Sequence, residues 1–327
     1  MSEKIACLGA GRMGRGIAVV FAYAGHRVDI IDFKDRDADG FDRLVAEVRD
    51  EIASTLAMLA RIGLMQDQHI DMIANRVRVV AKGDAQIALD DSSVVFEGLP
   101  EILDLKREAF AQISGMAGPE TIIASTTSTI LVDDLSGSVV HPERFLNAHW
   151  LNPAFLVPLV EVSPGANTDD ATTKRLIALL ESVGKVPVVC AARPGYIVPR
   201  IQTLAMNEAA RMVGEGVASA EDIDKAIIHG FGFRFAILGL LEFIDWGGGD
   251  ILHYASRYLV GALGDERYAA PPIIAENMEA GRIGLKSGEG FYNFKDIDPE
   301  AYREKRLGDF AAALRNMGLA RSPVLDG

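Results

Sequence analysis

The sequence predicts an α/β protein in which a doubly wound, mostly parallel sheet is followed by an all-α C-terminal domain. Three observations predict it: short β-branched runs alternate with longer helical patterns up to about residue 190, strand-like runs cease after Pro194-Gly195, and a glycine-rich turn joins the first strand to the first helix. The 327 residues exceed what one hydrophobic core usually supports, so two domains are expected, 1–193 and 194–327.

The first strand, 5–8, runs into Gly9-Ala10-Gly11-Arg12-Met13-Gly14, which opens a helix over 12–23. Glycines in such a turn let backbone N–H groups approach a pyrophosphate, and the helix N-terminus adds partial positive charge, as in a Rossmann-type dinucleotide site. The second strand, 28–31, leads directly into Asp32, 18 residues beyond Gly14. A carboxylate there accepts hydrogen bonds from the adenosine ribose and repels a 2′-phosphate, which points to NAD rather than NADP. Further strands are expected at 77–81, 94–97, 122–125, 146–149, 159–162 and 186–190, with helices at 38–61, 101–114 and 170–183. The last strands follow one another too closely for helical crossovers, so that edge of the sheet is expected to be mixed or antiparallel. After Gly195 come helical patterns at 196–215, 220–229, 235–246, 250–263, 271–281 and 299–317.

Hydrophobic residues make up 49% of the chain and charged residues 24%, the balance of a soluble globular protein. With 33 basic against 46 acidic residues the formal charge is -13, which disfavours nucleic acid and anionic membrane as partners. Cys7 and Cys190 lie in apolar stretches that read as buried strands and have no metal-ligand spacing, so no metal is expected and a reducing cytoplasm fits. The first residues enter a strand without the basic and apolar regions of a signal peptide, and no apolar run reaches ~18 residues, so neither export nor membrane insertion is expected.

Of six histidines, His26, His69, His141, His229 and His253 read as turn, loop or helix residues with surface or packing roles. His149 ends a strand on the way to Asn152-Pro153 and lies 12 residues before Glu161 on the next strand. If those strands are neighbours, the carboxylate can hold the imidazole in one tautomer and stabilise its protonated form, as a general base requires. The spacing alone is equally compatible with a hydrogen-bonded core histidine and an edge-strand glutamate.

Eight blocks in order carry a resemblance: Gly9 to Gly14; Glu101 with Lys106; Ser125-Thr126-Thr127-Ser128; His149-Trp150-Leu151-Asn152-Pro153; Leu159-Val160-Glu161-Val162; Pro194-Gly195-Tyr196; Glu215-Gly216-Val217-Ala218-Ser219; and Lys286-Ser287-Gly288-Glu289-Gly290-Phe291-Tyr292. From residue 3 to about 294 the chain resembles the L-3-hydroxyacyl-CoA dehydrogenase family, whose short-chain members act on 3-hydroxybutyryl-CoA. The resemblance implies an NAD-dependent oxidoreductase in which His149 takes the proton of a secondary alcohol while hydride passes to the nicotinamide. It also implies that Glu161 pairs with His149, and that Ser128 contacts both substrate hydroxyl and cofactor. Cofactor contacts from the turn residues Gly9, Ala10, Gly11, Arg12, Met13 and Gly14, from Asp32, and from Glu101, Lys106, Asn152 and Lys286 follow by position. A helical C-terminal domain that closes over the substrate and forms a homodimer is implied as well.

Three departures concern the substrate side. Where the family reads Val-Asn-Arg, this chain reads Val198-Pro199-Arg200, and proline has no side-chain amide. The stretch Phe231-Gly232-Phe233-Arg234-Phe235 resembles the branch that acts on free acids, which includes L-gulonate 3-dehydrogenase, lambda-crystallin and carnitine dehydrogenase. Third, the stretch 35–51, continuing into apolar 52–60, holds seven acids against three arginines where the corresponding helix of acyl-CoA members offers basic and hydroxyl groups. The expected substrate is therefore a small 3-hydroxy carboxylate or related free hydroxy compound. A short 3-hydroxyacyl-CoA and a catalytically idle, crystallin-like NAD-binding protein are the alternatives. Arg234, expected at a helix start where the dipole does not favour a cation, is the candidate carboxylate-binding residue. A structural pair with Glu242 or Asp245 is its competing role.

Overall fold

Residues 2–325 are described by a computed structural model. Its eight strands are β1 (Lys4–Leu8), β2 (Arg27–Asp32), β3 (Val77–Ala81), β4 (Val94–Glu97), β5 (Ile122–Ser125), β6 (Phe145–Trp150), β7 (Leu159–Pro164) and β8 (Val186–Val189), at the expected places. They form one sheet in the order β3-β2-β1-β4-β5-β6-β7-β8. The order reverses between β1 and β4, and in a doubly wound sheet ligands bind beyond the carboxyl ends of the strands at that point. Every neighbouring pair is parallel except β6 and β7, whose short connection leaves no room for a crossover. Helix Asp170–Ser182 then returns the chain, so β8 runs parallel to β7 and the edge is mixed.

Both faces of the sheet are covered, and β1 shows how. Ile5 and Cys7 pack into one core with Ile17, Phe21, Val48 and Ile52, whereas Ala6 and Leu8 pack into the other with Phe110 and Ile113. Alternate residues of a strand face opposite sides, so a strand buried on both reads as an unbroken apolar run. Helix Ala38–Arg61 is capped by Asp37, whose side chain accepts from the Gly40 amide, and it buries Leu44, Val48, Ile52, Leu56 and Leu59 at spacings of three and four.

Some local features depart from expectation. Short helices at Ile70–Ala74, Ala85–Leu89 and Val132–Ser136 are too brief to show a helical period in sequence. Cys7 is buried, but Cys190 lies just past β8 and is only half-buried, because the edge strand leaves Val186 and Val189 about half exposed. Pro199 is the second residue of helix Val198–Gly214, in the first turn, where a missing N–H breaks no intrahelical bond.

The chain forms two compact units, one ending at Ala205 and one beginning at Met206. The second is helical. Helix Ala220–Ala226, capped by Ser219, continues without interruption through a π-helical turn, Ile227–Gly232, into Phe233–Phe235. Helices Leu240–Gly247, Gly249–Leu263, Pro272–Glu279 and Pro299–Asn316 follow. Arg234 thus closes a helical run rather than opening one, because the next helix begins only at Leu240. A cation in that last turn is one the helix dipole favours. Among the described residues no single helix is long and apolar enough to cross a membrane.

Candidate active site

The glycine-rich turn presents backbone and little else. Gly9 has φ +102°, and a Cβ on Gly14 would lie 2.1 Å from the Gly9 carbonyl oxygen, so the helix can approach β1 only with glycine at position 14. Gly11 precedes helix Arg12–Tyr23, no side chain caps that helix, and a Cβ on Gly11 would meet nothing closer than 3.9 Å. Arg12 is exposed and Met13 half-buried beside it. An uncapped helix start with open space before it fits a pyrophosphate. A cavity of about 500 Å³ runs from Gly9, Ala10 and Gly11 to Asp32, Arg36 and Leu99. Asp32 ends β2 inside it, nearly buried, accepting from the Arg36 Nε at 2.5 Å.

Beyond β4 and β5 lies a buried ionic network. Glu97, absent from the sequence-based set, is fully buried at the end of β4. Its carboxylate accepts from Lys106 Nζ at 2.7 Å, from the Ser125 hydroxyl at 2.7 Å and from the Leu99 amide at 2.6 Å. Lys106 is equally buried, and its remaining contacts are the Leu99 carbonyl and Glu101 Oε2 at 3.3 Å. Its cation is therefore committed to holding two carboxylates. Glu101 in turn fastens the turn after β5: its Oε1 accepts from the amides of Ser128 (2.7 Å) and Thr129 (3.1 Å) and from the hydroxyls of Thr127 and Thr129. Ser128 itself is exposed.

Burial alone would raise the Glu101 pKa, but the Thr127 hydroxyl, Lys106 and the two amides outweigh it and hold the carboxyl below its ordinary value. A depressed folded-state pKa gives stability that is present above the unfolded value and lost as pH falls through the folded one. Wild-type protein is therefore expected to lose melting temperature below pH 4.5 more steeply than Glu101→Gln, measured by thermal denaturation across pH. Parallel pH dependences in the two would show that Glu101 is not the titrating link.

The third part of the site is the antiparallel pair. His149 on β6 stands directly across from Glu161 on β7, so the expected neighbouring of the two strands is realised. His149 Nδ1 lies 2.8 Å from Glu161 Oε2, and both side chains are buried. The other carboxylate oxygen accepts from the amides of Ile197 and Val198 at 2.9 and 2.8 Å. Since an ionised carboxylate only accepts, it takes the Nδ1–H tautomer and leaves Nε2 as the free lone pair. Tyr196, at φ 44°, stacks on the imidazole with centroids 5.0 Å apart and planes 7° from parallel. Its hydroxyl donates to the Thr127 carbonyl and accepts from the Asn147 amide, each at 3.0 Å. Burial raises the Tyr196 pKa, so this link stays protonated. Asn152 is exposed, past the end of β6, with Lys185 tying the same loop through the carbonyls of Ala154 and Val157.

Residues from the second unit have their own settings. Lys286 Nζ donates to Asp250 Oδ2 at 2.8 Å. Glu242 accepts from the Arg306 guanidinium and the Tyr302 hydroxyl. The buried Asp245 accepts from the amides of Phe291 (3.0 Å) and Tyr292 (2.8 Å). Neither acid pairs with Arg234, whose guanidinium lies 5.5 Å from the Phe243 ring centroid. Among the described residues it has no carboxylate partner.

Comparison with known proteins places most of the chain in one family. The model of the 3-hydroxyacyl-CoA dehydrogenase NAD binding domain matches residues 4–193, and that of the C-terminal domain of the same family matches 195–294. The chain is 30% identical over 316 residues to 5-formyl-3-hydroxy-2-methylpyridine 4-carboxylate 5-dehydrogenase of Mesorhizobium japonicum, covering 96% of this chain and 98% of that one. It is 33% identical to a probable 3-hydroxybutyryl-CoA dehydrogenase of Deinococcus radiodurans, covering 89% and 100%. Among solved structures, a 3-hydroxyacyl-CoA dehydrogenase of Archaeoglobus fulgidus superposes with a TM-score of 0.77 at 30% identity, covering 97% and 100%. Fold and relatives together define an NAD-dependent oxidoreductase acting on a CH–OH group. The chain belongs to the 3-hydroxyacyl-CoA dehydrogenase family.

Proposed function

We propose that this enzyme oxidises the secondary alcohol of a small 3-hydroxy carboxylate or related free hydroxy compound. Bound NAD supplies the hydride acceptor. His149, with Nδ1–H held by Glu161, takes the hydroxyl proton on Nε2, and Glu161 compensates the positive charge the ring gains. Ser128 holds the substrate hydroxyl next to the cofactor, and Tyr196 keeps the imidazole plane fixed. Glycines 9, 11 and 14, with Ala10, Arg12 and Met13, cradle the pyrophosphate; Asp32 receives the adenosine ribose. Glu101, Asn152 and Lys286 complete the cofactor contacts, and Lys106, expected to join them, acts through the Glu101 carboxylate that it holds. Residues 1–193 serve as the NAD-binding domain and 194–327 as the substrate-closing and dimerisation domain, in a cytoplasmic protein.

The observation that carries the free-carboxylate reading is Arg234, a guanidinium without a carboxylate partner among the described residues, its two candidate acids being engaged elsewhere. Such a group is suited to a planar, bidentate grip on a substrate carboxylate. Support comes from the acidic helix Ala38–Arg61, where Glu47 and Glu51 both bind Arg15, one turn into the helix that follows the glycine turn. The Mesorhizobium relative, named for a carboxylate substrate, points the same way. With NAD, a panel of 3-hydroxy acids is expected to yield reduced nicotinamide at rates above that with 3-hydroxybutyryl-CoA. Faster turnover of the thioester than of every free acid would overturn the reading in favour of the short acyl-CoA alternative; no turnover of anything would favour the idle, crystallin-like one.

A homodimer through the helical unit belongs to the same proposal. Helix Gly249–Leu263 exposes Ile251, Tyr254 and Tyr258, at spacings of three and four along one stripe, an apolar face suited to a second copy. Light scattering at micromolar concentration is expected to give twice the chain mass, and the chain mass alone would contradict it.

A further inference from the structure

The end of β2 carries more than the acid that reads an unphosphorylated ribose. Asp32 is nearly buried, its side chain 5% exposed, and it uses both oxygens: Oδ1 faces the Lys34 amide at 3.4 Å and Oδ2 takes the Arg36 Nε at 2.5 Å. The next residue, Asp37, caps helix Ala38–Arg61. Only Nε of the Arg36 guanidinium is engaged; among the described residues neither Nη has an acceptor, and the side chain remains 31% exposed. The same cavity holds Arg15, Lys34 and Glu47. Arg15 is bound to Glu47, Glu51 and the Ala10 carbonyl, and Lys82, beside Phe33, pairs with Asp35 at 3.3 Å. Lys34 and the two outer nitrogens of Arg36 are therefore the uncommitted cationic groups at the adenosine end.

A carboxylate repels a 2′-phosphate, whereas an arginine fork matches it. This chain has both within hydrogen-bond distance at one point, with the arginine's two outer nitrogens turned free. We propose that Asp32 and Arg36 form a two-residue selector: Asp32 imposes NAD, while Arg36 is a preformed 2′-phosphate ligand that Asp32 keeps occupied. Two consequences follow. Arg36 offsets part of the repulsion by Asp32 and so limits the wild-type preference for NAD, and removal of Asp32 alone is sufficient to convert the site to NADP. The inference rests on the reading of this cavity as the cofactor site.

Binding decides it without a substrate. Dissociation constants for NADH and NADPH are measured by nicotinamide fluorescence, with AMP and 2′-phospho-AMP as competitors that probe the adenosine end alone. Wild type is expected to prefer NADH by more than about tenfold. Asp32→Ser should tighten NADPH about 100-fold and place it below NADH, and Asp32→Ser with Arg36→Gln should give back at least about tenfold of that gain, the worth of one charge-assisted contact. Arg36→Gln alone should widen the wild-type ratio of the NADPH to the NADH constant. Asp32→Asn serves the same arm if the serine variant does not fold. Equal NADPH affinity in the acid-free variants with and without Arg36 overturns the selector while leaving NADH binding intact. Failure of wild type to bind NADH overturns the cavity as the cofactor site, and with it the selector.

Discussion

His149→Ala is expected to lower kcat by ~10²–10⁴ with little change in the dissociation constant of NADH, the range that general-base catalysis usually supplies. Glu161→Gln should fall in the upper part of the same range. Its carboxylate accepts three N–H groups, two from Ile197 and Val198 at one oxygen and one from His149 at the other. A glutamine has a single acceptor oxygen. If that oxygen keeps the two backbone amides, the NH2 group faces Nδ1 and drives the proton to Nε2, the nitrogen that must accept from substrate. Steady-state rates for the two variants, with tryptophan fluorescence to confirm folding, check this. Near-normal turnover in the His149 variant would move the search for the base elsewhere, and in the Glu161 variant would remove only the orienting role of Glu161. Asp32, Glu101 and the glycine turn would keep their proposed cofactor roles in that event.

Arg234→Met is expected to reduce kcat/KM for free hydroxy acids by ~10²-fold, roughly 3 kcal/mol, as for loss of a charge-assisted contact that orients the reacting carbon. Thermal stability should move by no more than ~0.5 kcal/mol, because what the arginine gives up within the protein is an exposed cation–π contact with Phe243. Residual turnover of a CoA thioester, which has no carboxylate at that end, should be spared. A loss of equal size for acids and thioesters would assign Arg234 to the protein's own structure instead.

The parts of this molecule that were legible in the sequence are those written in neighbouring residues. Strand and helix periods, the glycine turn and the Pro-Gly break all concern residues within a few positions of each other, and the eight strands were placed to within about two residues. The His149–Glu161 pair was accessible as well, since a tight antiparallel connection puts residues 12 apart opposite each other. What stayed hidden depends on distant segments meeting. Nothing local marks Glu97 as the acid that holds Lys106, although a glutamate ending a buried Val-Val-Phe run is a usable signal. Tyr196 stacks on His149 across 47 positions, and only a left-handed tyrosine after Gly195 puts its ring there. Arg234 was misplaced at a helix start because a π-helical turn carries the preceding helix farther than a 3.6-residue period projects.

The His149–Glu161 pair is held by the ladder, not by the chain that joins its two strands. Ala148 faces Val162, His149 faces Glu161 and Trp150 faces Val160, and a slip of one residue would send Glu161 to the opposite side of the sheet along with every buried neighbour on β7. Connection length and catalytic alignment are thereby separable design variables. Doubling a flexible loop adds only about 0.6 kcal/mol of closure entropy, so length added to this connection need not disturb the register that keeps imidazole and carboxylate opposite each other.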